Sequence, residues 1–270
     1  MKFSVFALLI SASLFFVSCS KDDAPVSSPT DGLFKIAEGY ATGSGLKAGI
    51  YAKSQMVYTG YSKFFILLSD SATGSVVKNA QVELSPMMDM GSMMHSTPFE
   101  NPSSATAVNS LFPCSVVFIM PSTGGSWSVD VTVTNPANGH TGTFSTSLTV
   151  TDPVESRLKS FTSLHDGQKF FVALIEPSAP KVGINDFEIA IYKRASMMSF
   201  PADSSLSVAI TPEMPTMGHG SPNNINPAHL GNGHYKGKVN FTMTGYWKVN
   251  IDYLSGTTMA DSTQFFDITF

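Results

Sequence analysis

Short apolar runs separated by turn residues recur along the whole chain after residue 33. Several of them alternate apolar with polar positions and are rich in Val, Ile, Phe and Trp, a pattern typical of half-buried β-strands. The clearest runs are 64–68, 80–84, 116–119 and 127–133, followed by 187–191, 206–210, 239–243 and 247–251. None of these runs keeps a helical period over three turns. The pattern therefore predicts an all-β chain of antiparallel sandwiches of immunoglobulin type.

An internal duplication accounts for the order of these runs. Segment 59–64 aligns with 182–187 at a displacement of 123 residues, and Met120 aligns with Met243 at the same displacement. Pro153 follows the last apolar run of the first copy, where a strand is expected to end. We therefore predict two tandem immunoglobulin-like β-sandwich domains, at residues 33–152 and 153–270.

The first 19 residues have the features of an export signal. Lys2 precedes an apolar run, 3–17, that is too short to span a bilayer comfortably and stops just before Cys19. This stretch resembles a bacterial lipoprotein signal, which implies that Cys19 becomes lipidated and anchors the protein to a membrane. An ordinary signal with a chance cysteine is the alternative.

The residues after Cys19 bear on the location of the protein. Residues 20–23, Ser-Lys-Asp-Asp, are similar to the export tag of Bacteroidetes surface lipoproteins. We therefore expect a lipid-anchored protein of the outer membrane that is exposed at the cell surface, with the periplasmic face as the alternative. Residues 20–32 are rich in Ser, Pro and Asp, so we expect a flexible tether.

Charge and cysteine content narrow the range of partners. The net charge is −4 and only 13% of the residues are charged, without a Lys/Arg cluster that could neutralise phosphates. We therefore expect no nucleic acid partner. Of the two cysteines, Cys114 has no partner once Cys19 is lipidated, and its apolar surroundings predict a small buried side chain. A metal-ligand role for Cys114 is the weaker alternative, because Gly237 occupies the matching position of the second copy.

Each copy carries one set of methionines and a histidine at matching positions. In the second copy the set is Met214, Met217, His219 and Met243; in the first copy it is Met88, Met93, His95 and Met120. A Trp follows each set, at 127 and 247, and is expected to anchor the core without a functional role. Because the loops of a sandwich gather at its ends, we expect the four side chains of each set to meet.

The chemistry of these side chains favours a soft metal ion. A thioether is soft and uncharged, so it suits Cu(I) and offers little to Zn²⁺, Mg²⁺ or Ca²⁺, whereas imidazole binds both oxidation states of copper. Methionine also fills irregular cores and forms adhesive surfaces, which is the alternative explanation. The segments around these methionines are polar and rich in Gly, so they do not have the composition of a core.

Residues 180–251 resemble the YtkA-like or FixH-like domain. The resemblance rests on the segments PKVGINDF (180–187), PEMPTMGHGSP (212–222), GHYKG (233–237) and FTMTGYW (241–247). It implies a compact immunoglobulin-like sandwich and a role in extracytoplasmic copper handling, including copper delivery during oxidase assembly. It also implies Met214, Met217, His219 and Met243 as copper ligands. Two further histidines, His229 and His234, fall in or beside a Pro-, Asn- and Gly-rich segment, 223–233, and are expected to be solvated loop residues.

The sequence lacks the signatures of an enzyme. We find no nucleophile with a base, no paired carboxylates and no phosphate-binding Gly loop, so catalysis is not expected. The leading hypothesis is a lipid-anchored, extracytoplasmic copper-binding protein that buffers, stores or delivers Cu(I), with another copper protein as a possible partner. The alternative is a non-catalytic surface adhesin or structural spacer.

Overall fold

Strands follow one another through residues 28–270, which is the part of the chain that the computed structural model describes. The predicted signal at 1–19, the lipidated Cys19 and most of the tether lie outside these residues. One turn of 3-10 helix, Ser122–Gly124, interrupts the strands. Between residues 28 and 270 no helix is long and apolar enough to cross a membrane. The prediction of an all-β, immunoglobulin-like sandwich fold is confirmed.

The first sandwich comprises residues 34–151. Its strands are β1 (Phe34–Ala41), β2 (Leu46–Ala52), β3 (Val57–Tyr58), β4 (Gly60–Asp70), β5 (Val76–Val77), β6 (Gln81–Asp89), β7 (Met94–His95), β8 (Phe99–Glu100), β9 (Phe112–Phe118), β10 (Ser126–Asn135), β11 (His140–Leu148) and β12 (Val150–Thr151). One sheet has the order β1-β2-β4-β9-β8, with β5 added to β4, and the other has the order β11-β10-β6-β7. The short strands β12 and β3 pair in parallel.

The second sandwich comprises residues 158–269. Its strands are β13 (Leu158–Thr162), β14 (Lys169–Glu176), β15 (Gly183–Lys193), β16 (Leu206–Met214), β17 (His219–Gly220), β18 (Ile225–Gly231), β19 (His234–Phe241), β20 (Tyr246–Ser255) and β21 (Thr258–Thr269). Its sheets have the orders β13-β14-β15-β19-β18 and β17-β16-β20-β21. These orders repeat those of the first sandwich strand for strand, apart from its extra short strands.

The alternating sequence pattern explains which face of each strand is buried. In β10 the side chains of Trp127, Val129, Val131 and Val133 are buried, whereas the residues between them are partly exposed. Side chains of a strand point alternately to opposite faces of the sheet, so one face of β10 enters the core between the two sheets. Burial of each such apolar side chain stabilises the fold by roughly 1.5–3 kcal/mol.

One local prediction about the second sandwich was wrong. Segment 223–233 was expected to be a loop, but β18 occupies most of it and pairs with β19. The pairing is irregular, with register shifts between Ile225 and Ala228 and between His229 and Gly231. Pro227 is tolerated because β18 is an edge strand. Edge pairing of this kind is decided by the neighbouring strand, which the local composition does not reveal.

The two sandwiches meet through the outer faces of their larger sheets. Val117 of the first sandwich packs in one buried cluster with Ala173, Ala190 and Tyr192 of the second. Partly buried side chains surround this cluster, among them Tyr61 and Ile119. The contact involves the last residues of β9 and β15 together with the first residues of β4, so the junction joins one end of each sandwich.

A carboxylate network adds polar contacts to this junction. Glu100 of β8 accepts hydrogen bonds from Tyr61 (2.9 Å) and Ser115 (2.7 Å) of its own sandwich. It also accepts hydrogen bonds from Tyr192 (2.6 Å) and from His234 Nε2 (2.8 Å) of the other sandwich. Both ring nitrogens of His234 are engaged, because Nδ1 lies 2.9 Å from Glu188 Oε1. The histidine expected to be a solvated loop residue therefore links the two sandwiches.

The hydrogen-bond network shifts the pKa values of both Glu100 and His234. Burial alone would raise the pKa of Glu100, but hydrogen bonds from His234, Tyr192 and Ser115 outweigh it and lower that pKa to about 2. The hydrogen bond to Glu100 raises the pKa of His234 against the opposing effect of burial, with a further contribution from Glu188. A charged imidazolium between two carboxylates is thus favoured at the junction.

Candidate metal centres

The strand register brings Met88 and His95 together in the first sandwich. Met88 lies opposite His95 on β7 and opposite Trp127 on β10, so the three residues form one row across the sheet. All three side chains are buried. The His95 ring lies edge-on to the Trp127 ring, with the two centroids 5.6 Å apart. The hairpin between β6 and β7 thus turns the histidine back toward the core.

The two nitrogens of His95 have different partners. Nδ1 lies 2.7 Å from the backbone oxygen of Ser96, and Nε2 lies 3.2 Å from the sulfur of Met120. Because the Ser96 oxygen can only accept, Nδ1 donates this hydrogen bond, and Nε2 of a neutral ring then presents its lone pair to the sulfur. Both atoms are therefore potential donors to a soft metal ion held beside them.

The methyl groups of Met88 and Met120 lie on the same side of the 3-10 turn. A Cβ atom built on Gly124 would lie 2.5 Å from Met120 Cε and 3.9 Å from Met88 Cε. Glycine at this position leaves the space that both methionine side chains occupy. The first sandwich therefore brings together Met88, His95 and Met120, three of its four predicted site residues.

Trp127 has a positioning contact in addition to its place in the core. Its indole Nε1–H donates a hydrogen bond to the backbone oxygen of Met120 at 2.9 Å. In the second sandwich Trp247 donates the equivalent bond to Met243 at 3.0 Å. The expectation that these tryptophans only anchor the core missed this contact. The spacing from Met to Trp is seven residues in the first copy and four in the second, so this shared side-chain to backbone bond cannot be recognised from the sequence.

The second sandwich has the same arrangement of Met, His and Trp, but its site is more exposed to solvent. Met214, buried at the end of β16, lies opposite His219 in the register of β17. His219 Nδ1 lies 2.9 Å from the Gly220 oxygen, so its Nε2 is again the nitrogen left for a ligand. The His219 and Trp247 rings lie 5.9 Å apart. Met243 is 41% exposed, and within residues 28–270 no contact between its sulfur and His219 matches that of the first sandwich.

The remaining predicted site residues, Met93 and Met217, lie in the hairpin turns and point outward. Met93 is 51% exposed and Met217 is 60% exposed. In each turn the backbone bonds close the loop, from Met90 N to the Met93 oxygen and from Met217 N to the Met214 oxygen, both at 3.0 Å. The turns therefore hold the backbone of each methionine beside the site, while its thioether faces solvent rather than the histidine.

The two sites occupy different places in the molecule. The first lies at the end of its sandwich that faces the junction, since Ile119, next to Met120, packs against the buried cluster there. The second lies at the opposite end of β15 from the junction, because Gly183 pairs with Phe241 near Met243 while Tyr192 lies in the junction. β15 has 11 residues, and at a rise of about 3.3 Å each the sites are separated by on the order of 30 Å. One site is enclosed and the other is open to solvent.

Other potential ligands are placed elsewhere. Cys114 is buried in β9, and burial raises the pKa of its thiol, which keeps it protonated and a poor metal ligand. Its S–H points to the Phe64 oxygen at 3.8 Å. In the described part of the chain, no group of three His, Cys, Asp or Glu side chains is positioned to hold a metal ion. The soft donors are therefore the methionines and their two histidines.

The fold and these sites define a protein of tandem immunoglobulin-like sandwiches, each with thioether and imidazole donors at one end. Residues 164–252 match the family model described as YtkA-like, as the resemblance predicted. The matched segment runs from the turn before β14 into β20 and includes Met214, Met217, His219 and Met243.

The chain was also compared with curated proteins and with solved structures. No curated protein matches the chain. Domains 5–6 of the S-layer protein SbsC align with 12% identity and a TM-score of 0.28, covering 88% of this chain and 97% of that chain. A DUF4785 family protein from Legionella pneumophila subsp. pneumophila strain Philadelphia 1 aligns with 10% identity and a TM-score of 0.28, covering 84% of this chain and 56% of that chain.

Proposed function

We propose that this protein binds Cu(I) outside the cytoplasm and buffers, stores or delivers it to another copper protein. It is proposed to be anchored to the outer membrane by a lipid on Cys19, to face the cell surface, and to have no catalytic activity. The YtkA-like domain supports an extracytoplasmic role, and the Met/His donor sets support copper as the cargo.

The contact between His95 and Met120 is the observation that carries this proposal. Nε2 and the sulfur face each other at 3.2 Å, while Nδ1 is held by a backbone oxygen. One imidazole nitrogen and up to two thioethers form an uncharged, soft donor set that suits Cu(I) and does not depend on an oxidisable thiolate. His219 and Met214 provide the same donor types, on two paired strands that correspond to those of the first site.

The two sites differ in solvent exposure, which suits them to different roles in copper binding. The first site suits retention of the ion, because Met88 and His95 are buried and so shielded from competing ligands. The second site has an exposed thioether at Met243 and a partly exposed imidazole, which suits ligand exchange with a partner. Exchange proceeds by replacement of one soft donor by another and needs no change in the oxidation state of copper.

An anaerobic Cu(I) titration of the full-length protein against a coloured competing chelator tests the proposal. We expect two tight equivalents, with one lost in His95→Ala and the other in His219→Ala. His140→Ala, an exposed histidine on β11, is the matched control and should retain both. Retention of two equivalents by His95→Ala and His219→Ala would refute the ligand assignment.

The alternative function, a surface adhesin or spacer, predicts a different result. In that case the wild-type protein would not compete for Cu(I), and its thermal stability would not depend on the ion. A ligand that binds only the folded protein stabilises it by about 2.7 kcal/mol at 100 times its Kd, so a rise in melting temperature is expected for a copper protein. The presence or absence of this rise in melting temperature distinguishes the two functions.

A further inference from the structure

Exposed methionines occupy two turns that meet at the junction of the sandwiches. One turn connects β6 to β7 and the other lies between β15 and β16. Their exposed methionines are Met90 (38%), Met93 (51%), Met94 (54%), Met197 (42%) and Met198 (56%). Met94, Met197 and Met198 belong to neither of the donor sets described above.

A backbone hydrogen bond holds the two turns together. Ser96 N donates to the Met197 oxygen at 2.9 Å, which places the turn of the second sandwich against the residue that follows His95. The β-bridge between Ser196 and Ser199 closes this turn, so Met197 and Met198 form its tip. Residues two apart in a strand are about 6.6 Å apart, so the backbone of Met94 lies about that far from the residue that makes this contact.

The composition of the turn is not explained by folding. Turn tips favour Gly, Asn, Asp, Pro and Ser, because these residues adopt turn conformations easily and remain hydrated. Met197 and Met198 have neither advantage, and their exposed side chains leave much of their apolar surface in water. The serines on either side, Ser196 and Ser199, provide the turn chemistry instead, including the bond from Met198 N to Ser196 Oγ at 3.1 Å.

These exposed thioethers lie beside the first site. His95 and Met88 are buried, whereas the β6–β7 hairpin that carries His95 has exposed methionines at its surface. Met94 precedes His95 directly but points to the opposite face of the strand, toward solvent. Soft donors of both sandwiches therefore lie next to the only histidine of the first site.

We propose that Met93, Met94, Met197 and Met198 form a capture surface that binds Cu(I) weakly and passes it to the site of Met88, His95 and Met120. This inference rests on the proposed function and adds an entry route to its first site. Each step replaces one thioether on the ion by the next donor, and copper remains Cu(I) throughout. Docking of the second sandwich thus completes the surface.

Methionine methyl NMR with Ag(I), a redox-inert soft ion, tests the capture surface on the full-length protein purified in detergent. The first equivalents of Ag(I) should shift the methyl signals of Met88 and Met120, and Ag(I) added beyond the two tight equivalents should shift those of Met197 and Met198. In Met197→Leu/Met198→Leu, stopped-flow loading of the first site with Cu(I) should slow by at least fivefold, with an unchanged equilibrium stoichiometry. Met259→Leu, exposed to 38% on the β20–β21 hairpin, should load at the wild-type rate.

The outcomes separate this inference from the proposed function. Unchanged loading rates in the double variant, together with unshifted Met197 and Met198 methyl signals, would overturn the capture surface and leave copper binding at His95 intact. The exposed methionines would then be an apolar contact surface for another protein. Absence of Ag(I) or Cu(I) binding at every methionine would overturn both proposals.

Discussion

Replacement of Glu100 by Gln should weaken the junction between the sandwiches. The variant keeps the shape of the side chain but removes the negative charge. His234 and Tyr192 of the other sandwich donate hydrogen bonds to this charged group in the wild type. A pKa lowered from 4.5 to about 2 corresponds to about 3 kcal/mol of more favourable interactions of the ionised carboxylate in the folded protein. We therefore expect the free energy of unfolding to fall by roughly 2–3 kcal/mol near pH 5.5.

The pH dependence of this loss follows from the two shifted groups. Because the folded pKa of Glu100 is lowered, its contribution is present above about pH 4.5 and disappears as the pH falls toward 2. Because the folded pKa of His234 is raised, its contribution is complete below about pH 6.5 and disappears as the pH rises through that raised value. The difference between wild type and Glu100→Gln should be largest between about pH 4.5 and 6.5.

Urea denaturation at pH 3, 5.5 and 9 measures this difference directly. Glu83→Gln, an exposed carboxylate on β6 of the same sandwich, is the control and should change stability by less than about 0.5 kcal/mol. Small-angle scattering at pH 5.5 should also show a more extended average shape for Glu100→Gln. A stability difference that is the same at all three pH values, or that is absent at pH 5.5, would contradict the assigned role of the Glu100 network.

Three further substitutions test the two candidate sites and the packing of the first sandwich. Gly124→Ala places a Cβ 2.5 Å from the flexible methyl of Met120, so Cu(I) affinity at the first site should fall severalfold in chelator competition while stability changes by less than about 1 kcal/mol. Trp247→Phe removes the hydrogen bond to the Met243 oxygen, so we expect a loss of about 1–3 kcal/mol in urea denaturation and weaker binding at the second site only. Gly142→Ala places a Cβ within 2.4 Å of two backbone oxygens, which cannot give way, so a loss of several kcal/mol is expected in thermal denaturation; an unchanged melting temperature would contradict this packing.

The fold was largely predictable because its signals are local. Alternation of apolar and polar residues identified the main strands of both sandwiches, and the displaced repeats predicted that the second half would repeat the first. The edge strand β18 was missed, because its pairing with β19 compensates for Pro227 and for an irregular pattern. Edge strands depend on a neighbour more than on their own composition.

The candidate sites were predictable in composition but only partly in geometry. Matched spacing identified Met88, His95 and Met120, which the strand register does bring together. The same spacing gave Met93 and Met217 equal weight, although both point outward from their turns. Side-chain direction in a turn is set by its backbone conformation, which the spacing of methionines does not determine.

By itself the sequence determined the strand periodicity, which depends on neighbouring positions, and the residue types of the two candidate donor sets, which the internal duplication revealed. Only the tertiary structure decided that one site is enclosed at the junction and the other is open at a free end. It also decided that His234, apparently a loop residue, is held between Glu100 and Glu188. These features depend on contacts between residues more than 40 positions apart, which arise from the packing of strands and sandwiches and leave no local pattern in the sequence.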